Sequence, residues 1–281
     1  MHRIATYVCF FTLVMFTKYA VPKNNMNNMF INKNVVENLS ARGIKVYGPI
    51  NDFKQSVFPD SNNINGNREI LKLSVSKSIP DAKKRAIPPK LNSLNHLMDV
   101  TSSVYDTIMV DDFETGFIDE NKWNLGGDPT WGATDYNGKP GLVTFQPKGN
   151  YSAWCAAARG SATVPNEKYP NNMNSELIFG PFNLSDINYG ELNFSYWLDT
   201  QIQKDWFSYM VSIDGENFSG VAISGYNGPA GGSWDEDFLP FSNVPNLGDI
   251  TGNSEVWVAF SFESESVTTG YGVFVDNISI T

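Results

Sequence analysis

Glu191-Leu-Asn-Phe-Ser-Tyr-Trp-Leu-Asp199 decides the fold, because apolar side chains at every second position put Leu192, Phe194, Tyr196 and Leu198 on one face of an extended strand. Trp206-Phe-Ser-Tyr-Met-Val-Ser-Ile213 repeats the alternation with Phe207, Tyr209, Val211 and Ile213, and Asp214-Gly-Glu-Asn217 follows as a turn. Glu255-Val-Trp-Val-Ala-Phe-Ser-Phe262 repeats it again with Val256, Val258, Phe260 and Phe262. Three half-buried strands within about 70 residues, separated by Gly, Pro and Asn turns, predict an all-β sandwich of antiparallel sheets.

The rest of the chain divides around that block. All seven Trp residues lie at or after Trp123, and 29 of the 38 aromatics lie between Tyr105 and Thr281. Residues 1 to 104 carry 14 Lys/Arg against 6 Asp/Glu, a net +8, whereas residues 105 to 281 carry 6 against 24, a net −18. An acidic domain lacks the basic footprint that phosphate binding requires, which disfavours nucleic acid and anionic membrane surfaces as partners of residues 105–281. The reading is therefore a signal peptide over 1–20, an Asn-rich basic leader over 21–104, and a β domain over 105–281.

The signal peptide rests on His2 and Arg3 followed by the apolar run Tyr7 to Phe16, too short to span a bilayer. It predicts secretion. The leader shows no sustained period and reads as mostly disordered, and Lys83-Lys-Arg85 is a candidate processing site ending at Arg85. With Cys9 in the signal segment, Cys155 is the remaining thiol, set in the apolar run Ala153-Trp-Cys-Ala-Ala-Ala158 as a small buried hydrophobe.

Within 108–281, Tyr169-Pro-Asn-Asn-Met-Asn-Ser175, Gly180-Pro-Phe-Asn-Leu-Ser185, Val211-Ser-Ile-Asp-Gly215, Trp257-Val-Ala-Phe260 and Gly272-Val-Phe-Val-Asp-Asn-Ile278 stand in an order of interest. They resemble the accessory β-sandwich of immune inhibitor A-type metallopeptidases, which is similar to the MAM domain. The resemblance implies a concanavalin-like jelly roll that binds or positions without catalysing, often with a structural calcium ion. These 281 residues hold no peptidase domain.

Catalytic chemistry is sparse. His2 and His96 are the only histidines and neither lies in the β domain, so His-based zinc and triad sites are excluded there. A glycosidase needs two carboxylates facing each other across a groove, and Asp235-Glu-Asp237 or Glu263 with Glu265 could furnish them. It ranks third.

Asp276 falls by strand parity on the side of Phe274, Ile278 and Ile280, where a carboxylate needs a compensating partner. Together with the resemblance this predicts a structural calcium site using Glu114 and Asp276, with Asp112 as a third ligand, because calcium prefers clustered oxygen donors. Parity also turns Trp197, Trp206 and Trp257 away from the apolar face, either as a sugar-stacking platform or as a second small core. Trp131, Tyr136, Tyr226 and Trp234 lie in loops as further ligand candidates. Six Asn-x-Ser sequons occur, at Asn38, Asn150, Asn183, Asn193, Asn217 and Asn277. Of these, Asn193 and Asn277 sit on outward parities.

Two classes of function fit. One is a secreted, non-catalytic adhesion or carbohydrate-binding module with a polysaccharide or glycoprotein partner. The other is a MAM-like extracellular protein that contacts another protein chain.

Overall fold

The computed structural model describes residues 33–49, 69–85, 107–135, 149–157, 168–226 and 234–281. The expected signal peptide, Tyr136 and the remaining leader residues lie outside them. Two helices, α1 (Lys33–Ala41) and α2 (Ala82–Arg85), accompany thirteen strands. These are β1 (Ile44–Pro49), β2 (Glu69–Ser78), β3 (Met109–Asp111), β4 (Asn124–Gly126), β5 (Thr130–Thr134), β6 (Ser152–Ala157), β7 (Asn174–Phe182), β8 (Glu191–Asp199), β9 (Trp206–Ser212), β10 (Asn217–Tyr226), β11 (Asp235–Pro240), β12 (Val256–Glu263) and β13 (Gly272–Ile280). No described helix is long and apolar enough to cross a membrane.

The strands form two antiparallel layers. The first runs β1-β2-β10-β9-β12-β7-β4 and the second β11-β8-β13-β6-β5, with β3 pairing along the last three residues of β13. A single pair, Tyr226 with Asp199, joins the two. Between the layers lies the core that the alternation predicts: Phe207, Tyr209, Val211, Val258, Phe260 and Phe262 from the first layer meet Leu192, Phe194, Tyr196 and Leu198 from the second. Phe194 sits at the centre, 4.9 Å from the Tyr209 ring and 5.1 Å from Phe260, both edge-on. Such contacts add about 0.5–1.5 kcal/mol each beyond area burial. Ile213 departs from the expectation. Strand β9 ends at Ser212, and Ile213 is exposed at the turn.

Two segments of the leader, 33–49 and 69–85, are built into the fold. Strand β2 pairs with β10 over ten residues, from Asn217 opposite Ser78 to Tyr226 opposite Glu69. Its Leu71, Leu73 and Val75 share the outer face of the first layer with Ala222, Met210, Ala259, Ile178, Trp206 and Trp257. Phe218 of β10, Leu39 of α1, Ile44 of β1, Ile79 and Ala82 complete this second cluster. Each buried aliphatic side chain contributes about 1.5–3 kcal/mol, an upper range because the unfolded chain is itself partly collapsed. The packed fold therefore begins well before residue 105.

The β9–β10 turn shows how closely this layer is built. Gly215 adopts φ +73°, and a Cβ there would lie 3.0 Å from the Trp257 ring, so a side chain has neither the backbone nor the room. Asp214 closes the same turn by accepting N–H bonds from Glu216 (2.8 Å) and Asn217 (2.7 Å). Burial opposes its ionisation, but the Asn217 side chain and these N–H groups outweigh that and hold the carboxyl down to about 2.

Candidate functional site

Among the described residues an open groove lies on the second layer, where β11 adds to the edge of β8, with Asp237 opposite Phe194 and Phe238 opposite Asn193. Alternation along β11 buries Asp237 and Leu239 and turns Glu236 and Phe238 to solvent. Next to it, β13 carries one extra residue between Asp276, opposite Ser195, and Ser279, opposite Asn193. This is a β-bulge, and Asn277 takes a positive φ of 48° within it. The result is a groove of about 330 Å³ lined by Asn193, Phe194, Ser195, Glu236, Asp237, Phe238 and Asn277.

Its floor is fixed by a buried polar network. Asp237 Oδ2 accepts from Tyr209 Oη at 2.9 Å and from Lys72 Nζ at 2.6 Å, while the Phe238 N–H bonds Oδ1 at 3.1 Å. A buried carboxylate held this way is compensated and immobile. At the margin, Glu191 accepts from Asn193 Nδ2 at 3.0 Å and from Tyr189 Oη at 2.9 Å. Tyr189 and Phe238 are about half exposed. The arrangement offers side-chain amides, a hydroxyl, a carboxylate and two accessible rings on strands that cannot shift without breaking the core.

The bulge also corrects the reading of Asp276. One inserted residue reverses parity, so Asp276 shares the face of Ser195 and Ser279, whereas Ile280 faces the core opposite Leu192. Asp276 is nevertheless buried, and its Oδ1 accepts the Asn277 N–H at 2.7 Å. Glu114 does other work. Its Oε1 accepts the N–H groups of Asn150 (2.7 Å) and Tyr151 (3.0 Å), and its Oε2 accepts Asn150 Nδ2 (2.7 Å). The Tyr151 N–H foremost holds this carboxyl below the usual carboxylate range. Asp112 is exposed and accepts the Glu114 N–H. Among the described residues no three acidic, His or Cys side chains gather as a metal-holding group.

Burial decides between the two readings of the outward tryptophans. Trp197, Trp206 and Trp257 are all buried, and no sugar can stack on them. Trp206 and Trp257 belong to the second cluster beneath the leader strands, where Lys83 Nζ lies 5.5 Å above the Trp257 ring. Trp197 packs edge-on against Phe274 at 5.7 Å. Trp131 is no loop residue but a core side chain of β5, 6.4 Å from Phe207. Trp234 is half-buried against the core, and Tyr226 ends β10. Tyr136 lies outside the described residues.

The carboxylates offered for glycosidase chemistry are accounted for differently. Glu236 and Asp237 point to opposite faces of β11, and Asp237, Glu263 and Glu265 each pair with a lysine, namely Lys72, Lys77 and Lys204. Of the sequon asparagines, Asn150, Asn183, Asn217 and Asn277 are exposed, and Asn193 is half-buried in the groove. Cys155 is buried, and burial pushes its thiol well up.

No protein-family model matches the sequence, and no curated protein matches it either. The solved structures similar to it include β-sandwich modules and, over 24% of that chain's own length, an exo-β-agarase. The K1 cleaved adhesin domain of Lys-gingipain from Porphyromonas gingivalis W83 is 15% identical, with 63% of this chain and 98% of that one covered and a TM-score of 0.41. A carbohydrate-binding module solved with β-1,4-galactotriose is 15% identical, covering 60% and 93%, at 0.38. The family 11 carbohydrate-binding module of Clostridium thermocellum, solved with a mixed-linked tetrasaccharide, is 14% identical, covering 63% and 96%, at 0.37. Likenesses of this size carry no residue-by-residue correspondence.

Phe238, Glu236 and Asn277 escaped the sequence reading as a groove. The signal was present in the parity of Asp235-Glu-Asp-Phe-Leu-Pro240, where Phe238 alternates away from Leu239. That strand is short and follows a Gly-rich stretch of sequence, so it offers too few repeats to register.

Proposed function

We propose that the chain is a secreted, non-catalytic binding module of carbohydrate-binding or adhesion type, whose ligand site is the groove between β11, β8 and β13. The observation that carries this reading is the half-exposed Phe238 ring beside Asn193, Ser195, Glu236 and Asn277 in one open groove. A pyranose presents C–H groups on its face and hydroxyls around its rim. An aromatic ring takes the first, and planar amides and a carboxylate take the second as donors and acceptors. The acidity of Glu236 and Glu191 favours neutral over anionic glycans. Asn193 and Asn277 are also sequon asparagines, so a glycan attached to either one would occupy the groove itself.

Affinity electrophoresis against a panel of neutral polysaccharides tests the reading. The wild-type chain is expected to be retarded by at least one of them, and Phe238→Ala to weaken that retention about tenfold, the equivalent of about 1.4 kcal/mol. Retention by none, or retention unchanged in Phe238→Ala and Asn277→Ala, would remove the groove as the site.

A further inference from the structure

The outer face of the first layer is a built site with an occupant. Strand β2 lays ten residues along β10, and Ile79 adds an N–H bond to the Glu216 carbonyl at 2.9 Å. From the same face of β2, Lys77 sends its ammonium into a pocket of oxygen atoms. It pairs with Glu263 Oε1, lies 2.7 Å from Asn174 Oδ1 and 3.0 Å from Ser261 Oγ, and is 3.9 Å from Glu176 Oε1. The Lys77, Glu263 and Glu176 side chains are all more than nine-tenths buried. An ammonium carries three donors and no acceptor, and this pocket supplies oxygens from four side chains. From the opposite face of β2, Lys72 reaches Asp237 at 2.6 Å. Both faces of one strand thus end in a lysine seated on a buried carboxylate of the domain, and Leu71, Leu73 and Val75 lie between them on the apolar outer face.

The chain leaves this dock at a basic turn. Asp81 takes a positive φ of 61°, and Lys83 and Lys84 follow with side chains 50% and 81% exposed. Arg85 closes α2. None of the contacts that hold β2 needs the covalent bond beyond that turn. Strand addition of this kind draws its affinity from the backbone ladder and its selectivity from side-chain pockets on alternate residues.

We propose that this face is a docking site for a lysine-bearing β-strand, filled by residues 69–82 of the chain itself, and that cutting the chain within Lys83–Arg85 leaves the strand bound as a separate, noncovalent subunit. The cut is hydrolysis of one peptide bond after a basic residue by a trypsin-like endopeptidase, with water adding across the C–N bond.

Limited trypsin digestion of the full chain, with fragments mapped by mass and separated by size exclusion at physiological salt, tests it. The fragment carrying β2 is expected to co-elute with the fragment carrying β3–β13. Lys77→Met should raise the released fraction at least tenfold, and Lys77→Arg should restore retention. Separation of the wild-type fragments as soon as the bond is cut, or equal retention by Lys77→Met, overturns the proposal. Should Lys77→Met not fold, hydrogen exchange on the nicked wild-type protein decides. Amides 69–78 protected to the same degree as before the cut support the dock, and their exchange as an unstructured peptide refutes it.

Discussion

Lys77→Met in the full chain should lower the free energy of unfolding by about 3–5 kcal/mol, read from the shift in urea midpoint at constant m-value. The substitution keeps length and apolar volume but removes the ammonium from a pocket whose carboxylates, Glu263 and Glu176, are nearly inaccessible to water. Those two charges then stand buried side by side with no cation between them, and that repulsion adds to the loss of the hydrogen bonds that Lys77 donates to Asn174 and Ser261. A second substitution, Glu263→Gln, made on top of Lys77→Met should recover part of the loss, which identifies uncompensated charge as its cause. A shift below about 1 kcal/mol would mean that water reaches the pocket and the ion pair contributes no more than a surface one.

Trp206→Ala should cost a comparable amount, about 3–5 kcal/mol, because the ring fills space beneath α1, β1 and β2 that no neighbour can occupy after truncation. The same variant should bind glycans as the wild type does, since Trp206 lies on the outer face of the first layer and the groove lies on the second. This pair of readouts separates a core role from a ligand-platform role. Unchanged stability with lost retention would return Trp206 to the ligand site. A loss of stability alone assigns it to packing.

Much of the fold was legible in the sequence. Strands β8, β9 and β12 alternate with aromatic and branched side chains on one face, and burial of that face leaves a single register. The leader strand was less legible for a physical reason. In Glu69-Ile-Leu-Lys-Leu-Ser-Val-Ser-Lys-Ser78 the apolar residues are four aliphatics, and what makes Leu71, Leu73 and Val75 core is the surface of β10, which starts 139 residues past the end of β2. No local pattern announces such a partner. Asp276 is the opposite case: strict alternation puts it with Ile278 and Ile280, but one extra residue at Asn277 reverses the parity, and a bulge has no mark in composition. The outward tryptophans were legible as a second hydrophobic surface, and what covers them followed from the leader strand. Phe238 needed only its neighbours' parity, but it stands in six residues with a proline at the end.

The strand pairing of β2 with β10 has a bearing on how this protein can be handled. A fragment started at residue 105, the natural place to cut by composition, would leave the ten-residue β10 edge without its partner and bare the surface around Trp206 and Trp257. An unprotected, flat, apolar edge is a template for other chains, so such a fragment is expected to aggregate through β10 at concentrations where the full chain stays monodisperse. In the full chain β2 covers that edge and that surface, so expression should begin upstream of α1.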